Sequence, residues 1–136
     1  MMKGPTTLGI SQLSLSVGNL PGTLEFFDKL GFHRLSEMEG RVPDHSMILT
    51  DGSAVVSLWQ IPGDARPFDR RHNVGLNHVS IRVATMEQLK SLYEEVQRIG
   101  GVTVEHPPRD LEGTNLVRAV VHEPSGIPVE LTYLRE

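Results

Sequence analysis

The sequence predicts an α+β fold made of two βαβββ modules whose sheets form a concave, partly open barrel. Three observations predict it. Residues 10–31 (ISQLSLSVGNLPGTLEFFDKLG) and 76–101 (LNHVSIRVATMEQLKSLYEEVQRIGG) share one pattern of alternation, break, helical run and glycine stop, the mark of an internal repeat. The closing segments rhyme too, GSAVVSL at 52–58 against GIPVEL at 126–131 with a one-residue indel. The alternating segments also place their polar residues on a single face, which a half-buried sheet requires.

In chain order, residues 10–17 alternate with period 2 and predict a strand. Pro21 fits the first helical position, Leu24, Phe27 and Leu30 share a face, and Gly31 ends that helix. Strand candidates follow at about 32–38, 45–50 and 54–60. Residues 61–75, with Pro62, Gly63, Pro67 and a charge cluster, read as the linker. The second copy opens with a strand at 76–83. Its helix carries a capping box, Thr85 with Gln88, and an apolar stripe of Leu89, Leu92, Val96 and Ile99 that Gly100 and Gly101 close. Further strands are expected at about 102–106, 115–121 and 128–134. The chain is thus expected to be one domain over 1–136, with module one at about 8–60 and module two at 76–134.

Composition removes several functions. The chain of 136 residues has no cysteine, which excludes disulfides, thiolate metal sites and a cysteine nucleophile. A net charge of −4 argues against a nucleic-acid partner, which normally meets a basic excess. No apolar run approaches the ~20 residues of a membrane span, and the first residues carry no apolar leader stretch. A soluble, cytoplasmic protein is expected.

Side-chain alternation locates the candidate site. Leu13, Leu15 and Val17 oppose Gln12, Ser14 and Ser16; Val79, Ile81 and Val83 oppose His78, Ser80 and Arg82. In the closing strands Val56 and Leu58 oppose Ser57 and Trp59, and Val129 and Leu131 oppose Glu130 and Thr132. Two amphipathic helices can cover the apolar faces, leaving the polar faces to line a cup. Gln12, His78 and Glu130 all lie on the polar face. An amide oxygen, an imidazole and a carboxylate suit a divalent ion with open positions. The residues alone equally allow a satisfied strand histidine and a half-exposed glutamate.

Other side chains carry paired readings. His45 and His122, near strand ends, are either proton shuttles or plain surface histidines. Arg82 and Arg118 either bind an anionic substrate or pair with acids of the sheet. Trp59 is either a stacking wall for a flat or apolar substrate or part of the framework.

The chain resembles the vicinal oxygen chelate superfamily, which includes glyoxalase I, bleomycin-resistance proteins, fosfomycin-resistance proteins and extradiol dioxygenases. The carriers are ISQLSLSV at 10–17, KLGF at 29–32, GLNHVSIRV at 75–83 and EPSGIPVEL at 123–131, so the resemblance spans about 8–134. FDRR at 68–71 resembles a stretch before the histidine strand in many members and implies a linker or interface role. The resemblance implies metal ligands on the first and last strand of each module, at Gln12, Ser57, His78 and Glu130. Ser57 departs from the pattern: glyoxalase I enzymes have a glutamate there that binds metal and moves the substrate proton. A serine is no general base near neutral pH without a partner.

Three functions follow as expectations from the resemblance. One is a glyoxalase-like lyase or isomerase, in which a divalent ion (nickel, zinc, cobalt, manganese or iron(II)) held by Gln12, His78 and Glu130 acts as a Lewis acid on a small substrate with two chelating oxygens. A second is an extradiol-type dioxygenase with iron(II), weakened by glutamine where histidine is usual. The third is a metal-free antibiotic-binding protein. Ser57, Trp59, Arg82 and Arg118 are the expected pocket residues, and His45 and His122 the candidates for a base. Members of this build also imply a homodimer, which covers exposed sheet edges.

Overall fold

The computed structural model describes residues 4–35 and 45–136. Module one runs β1 (Leu13–Val17), α1 (Leu20–Lys29), β2 (His33–Arg34), β3 (Ser46–Thr50) and β4 (Val55–Gln60). Module two repeats it as β5 (Val79–Arg82), α2 (Met86–Val96), β6 (Thr103–Asp110), β7 (Leu116–His122) and β8 (Pro128–Leu134). The sheets have matching orders, β1-β4-β3-β2 and β5-β8-β7-β6. First and last strands of each module pair in parallel and the other pairs are antiparallel. Two four-stranded mixed sheets with two helices make the α+β architecture that the sequence predicts. No described strand of one sheet pairs with the other, so the sheets do not close into a barrel.

Both helices form for local reasons. Asn19 caps α1 by accepting a hydrogen bond from the Gly22 N–H at 3.1 Å. Pro21 follows one residue after the first helical position, Leu20, where a missing N–H still loses no helical bond. Gly31, at φ +94°, ends α1 in a conformation that a side chain would strain. In α2 the Thr85 hydroxyl accepts from Gln88 N at 3.0 Å, while Gln88 reaches back to the Ala84 N–H at 3.2 Å. Phe26, missing from the expected stripe, is fully buried beside Phe27, ring edge to ring face, with centroids 5.7 Å apart. Each such ring contributes about 1.5–3 kcal/mol by leaving water.

Three expectations shift at their ends. The opening strands begin three residues late, at Leu13 and Val79, so Gln12 and His78 stand just ahead of their strands. The strand expected at 32–38 is described only as His33–Arg34, its later part lying outside the described residues. Finally, β6 continues through Pro107 and Pro108 to Asp110, with register shifts between Val104 and His106 and between His106 and Arg109. As an edge strand it tolerates prolines that lack a ladder donor.

The modules meet through α1, α2 and a polar clasp. Glu123, 1% exposed, accepts from Thr23 Oγ1 at 2.6 Å and from the N–H groups of Ser125 and Ile127 at 3.0 and 3.1 Å. Asn19 N donates to Ser125 Oγ at 3.1 Å, so this turn grips the start of α1. A Cβ on Gly22 would stand 2.7 Å from Pro124 Cβ, which is why glycine occupies that helical position.

Candidate functional site

Strand register arranges the polar face of module two in rows. Ser80 lies opposite Glu130, Glu130 opposite Val120, and Val120 opposite His106, and partners in a ladder share a face. Glu130 is 8% exposed. Ser80 Oγ donates to its Oε1 at 2.9 Å and Arg118 donates from Nη1 to its Oε2 at 2.9 Å. A carboxylate so withdrawn from water needs these partners, and each oxygen keeps a further lone pair. The next row holds Arg82, Thr132, Arg118 and Arg109.

Module one places neutral groups in the matching positions. Ser14 lies opposite Ser57 as Ser80 lies opposite Glu130. The two hydroxyls are 2.5 Å apart, and Trp59 Nε1–H donates to Ser57 Oγ at 3.2 Å. The imidazole of His45 meets the Trp59 ring edge to face at 5.7 Å. Ser57 is 3% exposed, so its hydroxyl is committed to Ser14 and Trp59.

Gln12 and His78 are exposed. His78 Nδ1 lies 2.8 Å from Asn77 Oδ1; with Nδ1 as the donor, Nε2 keeps its lone pair for a further partner. Extending the β5–β8 register by one residue puts His78 beside Pro128, hence diagonal to Glu130 on the same face. Gln12 belongs to the other sheet. Among the described residues no three His, Asp or Glu side chains converge as a preformed metal cage. The donors that suit an ion are therefore two diagonal neighbours on one sheet and one amide on the other.

His122 is drawn elsewhere. The register shift after Val104 leaves Glu105 as the extra residue of a bulge, and its Oε1 lies 2.9 Å from His122 Nε2. Arg70, from the linker, donates to both Glu105 oxygens at 2.8 and 3.0 Å. The bond to His122, with help from Arg70, holds the Glu105 carboxyl below the usual carboxylate range. These groups line a cleft with Phe68 and Pro128. FDRR is thus part of a clamp between the linker and β6, with Asp69 bonded to His72 at 2.8 Å and lowered in pKa by that bond. Burial pushes Glu123 the opposite way, above the ordinary value.

The structure thus brings together Ser57, Trp59 and His45 on one sheet, and Glu130 and Arg118 on the other. It leaves Arg82 and Gln12 exposed and gives His122 to Glu105. Sequence reasoning placed Ser80 on the polar face but missed it as the donor to Glu130, which the β5–β8 register decides. It also missed His106, 8% exposed, and Arg109, whose place depends on register shifts that no periodicity reveals.

Over residues 9–131 the chain matches the Glyoxalase/Bleomycin resistance protein/Dioxygenase superfamily, and it belongs to that superfamily. Solved structures of the same fold agree. A glyoxylase/bleomycin resistance protein/dioxygenase domain from Frankia sp. EAN1pec is similar with TM-score 0.76 and 21% identity, covering 96% of this chain and 95% of that one. A glyoxalase family protein from Enterococcus faecalis is similar with TM-score 0.70 and 22% identity, over 92% and 97%. The fosfomycin resistance protein FosX from Mesorhizobium loti is similar with TM-score 0.69 and 14% identity, over 96% and 95%. A search of curated proteins finds no match. Members of the superfamily typically use a divalent metal ion and bind small-molecule substrates. No described helix is long and apolar enough to cross a membrane.

Proposed function

We propose that the protein is a divalent-metal-dependent enzyme of the vicinal oxygen chelate type, a glyoxalase-like lyase or isomerase acting on a small substrate with two neighbouring oxygens. The observation that carries the reading is the diagonal placement of His78, just ahead of β5, and Glu130, on β8, with Ser80 orienting the carboxylate. His78 would present Nε2, its ring steadied through Nδ1 by Asn77, the kind of outer contact that orients a ligating imidazole. Glu130 would present the lone pairs that Ser80 and Arg118 leave, and Gln12 its amide oxygen. The ion would supply Lewis acidity toward the substrate's oxygens.

The chain's own residues limit the reaction. Ser57 offers no carboxylate, and its hydroxyl is engaged, so a proton must be moved by another group. His122, oriented by Glu105, and His45, against Trp59, are the first to test. The segments leading into β1 and β5 carry Leu8, Ile10 and Val74, all almost fully exposed. Large apolar side chains so placed beside Gln12 and His78 support a homodimer in which these segments are covered.

One observation favours a metal-free small-molecule binder instead. Arg118 places a guanidinium 2.9 Å from Glu130, and a cation there opposes a second cation on the same carboxylate. Metal analysis of the purified protein, before and after chelation, separates the readings. Nickel, cobalt, zinc or manganese near one per site supports the lyase or isomerase, iron the dioxygenase, and none in either preparation the binder.

A further inference from the structure

The row beyond Glu130 is cationic from end to end. Arg82 lies opposite Thr132, Thr132 opposite Arg118, and Arg118 opposite Arg109, so three guanidinium-bearing positions on three strands share the face of Glu130. Adjacent strands are ~4.8 Å apart, which puts Arg109 about 5 Å and Arg82 about 10 Å from Arg118 at the backbone. Long arginine side chains close that interval easily. Like charges this near one another repel, and the sheet supplies little to offset them. Glu130 neutralises Arg118 alone, through Nη1. Arg82 and Arg109 have no carboxylate partner among the described residues, while the nearby Asp110 pairs with Arg135. This concentration of positive charge stands on a chain whose net charge is −4.

Hydrogen bonding adds a second observation. Arg118 Nε and His106 Nε2 are the two buried side-chain nitrogens without a partner among the described residues. Of the two, Arg118 Nε–H is the donor that an anion satisfies; His106 donates from Nδ1 to the Pro107 carbonyl at 3.2 Å, so its Nε2 is an acceptor and takes no part in holding an anion. An unpartnered buried polar group carries a cost that a ligand can relieve. With Nη1 given to Glu130, the remaining edge of Arg118 is the fork that matches two oxygens of one anionic group.

We propose that Arg82, Arg118 and Arg109 form a subsite for an oxyanion group, a carboxylate or a phosphonate or phosphate, carried by the substrate. Thr132, 6% exposed, lies between Arg82 and Arg118 as its floor. Rows of one face are two residues apart, about 6.6 Å along a strand. Resting on the reading above, the substrate is then a small acid whose anionic group lies about that far from its two chelating oxygens. The anion sets orientation, and Glu130 links the two subsites because it touches Arg118 directly.

Titration of chelator-treated protein with benzoate and with phenylphosphonate tests the subsite without any metal. Calorimetry and the Arg Nε–H signals in a nitrogen-edited NMR spectrum are the readouts. Saturable binding of at least one probe is expected, weakening with salt, shifting the Arg118 Nε–H signal, and with no binding of neutral benzamide. Arg82→Gln/Arg109→Gln, both changes at exposed positions that leave the Arg118–Glu130 pair intact, is expected to weaken binding about tenfold or more. Tighter benzoate identifies a carboxylate substrate, and tighter phenylphosphonate a phosphonate or phosphate. Equal affinity in the double variant, or saturable binding of neither probe, overturns the subsite. Loss of the subsite with metal binding intact leaves the proposed function standing, and anion binding in a protein that takes no metal removes that function alone.

Discussion

Ser57 and Glu130 occupy the same place in two modules of one design, each opposite a serine on the module's first strand. What surrounds them differs in a correlated way. Where module two has Arg118, Thr132 and Arg82, module one has Ser46, Trp59 and Ser16. A buried carboxylate requires a nearby cation and donors, so Glu130 stands with Arg118 and Ser80; a buried hydroxyl requires only another hydroxyl and an indole N–H. Acid and arginine are therefore present together or replaced together. The lesson is a division of labour on a repeated scaffold: module two carries the charge and the strong donors, and module one contributes neutral, hydroxyl-rich and aromatic surface.

The sharpest way to break this contrast is to remove the cation. Among the described residues, Arg118→Met leaves Glu130 with Ser80 alone and is expected to lower stability by about 2–3 kcal/mol, less than the ~3–5 of a fully buried pair because the Arg118 side chain is 29% exposed. Urea unfolding measures it. Transplanting the acid comes next. Ser57→Glu puts a carboxylate beside Ser14 with no arginine in the Arg118 position, costing about 1–3 kcal/mol in metal-free protein. The same change is expected to tighten divalent-metal binding by adding an anionic donor, which calorimetry with nickel and zinc detects; weaker binding would contradict the equivalence of the two positions. Where the modules join, Thr23→Val removes one donor to Glu123 and is expected to destabilise by about 1 kcal/mol. Ser14→Ala, in the neutral module, is expected to have the smallest effect, at most about 1 kcal/mol in the same unfolding assay.

Two carboxyls of module two give opposite pH responses. Glu123 is raised by burial above its ordinary 4.5, so its contribution to stability is full below that value and is lost as pH rises through its folded-state pKa. Glu105 is lowered from 4.5, by His122 first, so its contribution is present above that value and is lost as pH falls through its folded-state pKa. Glu123→Gln is expected to flatten the decline above pH 4.5, and Glu105→Gln to flatten the acid limb. Unfolding free energies measured from pH 3 to 8 check both signs.

Much of this was legible in the residues. Repetition of alternation, helix and glycine stop determined the modules, and Thr85 and Gly31 punctuate the helices by local chemistry. However, α2 ends at Val96 with Gln97 as its cap, ahead of the expected stop at Gly100 and Gly101, and the Asn19 cap of α1 emerges only in the structure. Alternation alone put Gln12, His78, Ser57 and Glu130 on the polar faces. What it could not supply was the pairing on β6. Pro107 and Pro108 mask a strand, and the bulge at Glu105 decides that His122 meets a carboxylate and that Arg109 joins the row of Arg118. Bulges follow from tertiary pairing rather than from the period of a sequence, so these neighbours emerge only once β6 and β7 are laid side by side.

The most direct test of the proposed centre is calorimetric titration of chelator-treated protein with nickel, zinc and iron(II), comparing the natural chain with His78→Ala. His78 is exposed and, among the described residues, its side chain is bonded only to Asn77, so the variant should fold and any loss reports on ligation. The account predicts saturable binding of at least one ion in the natural chain and a loss in the variant beyond the ~10–100-fold typical of second-sphere changes. Equal affinity in the two proteins would contradict it.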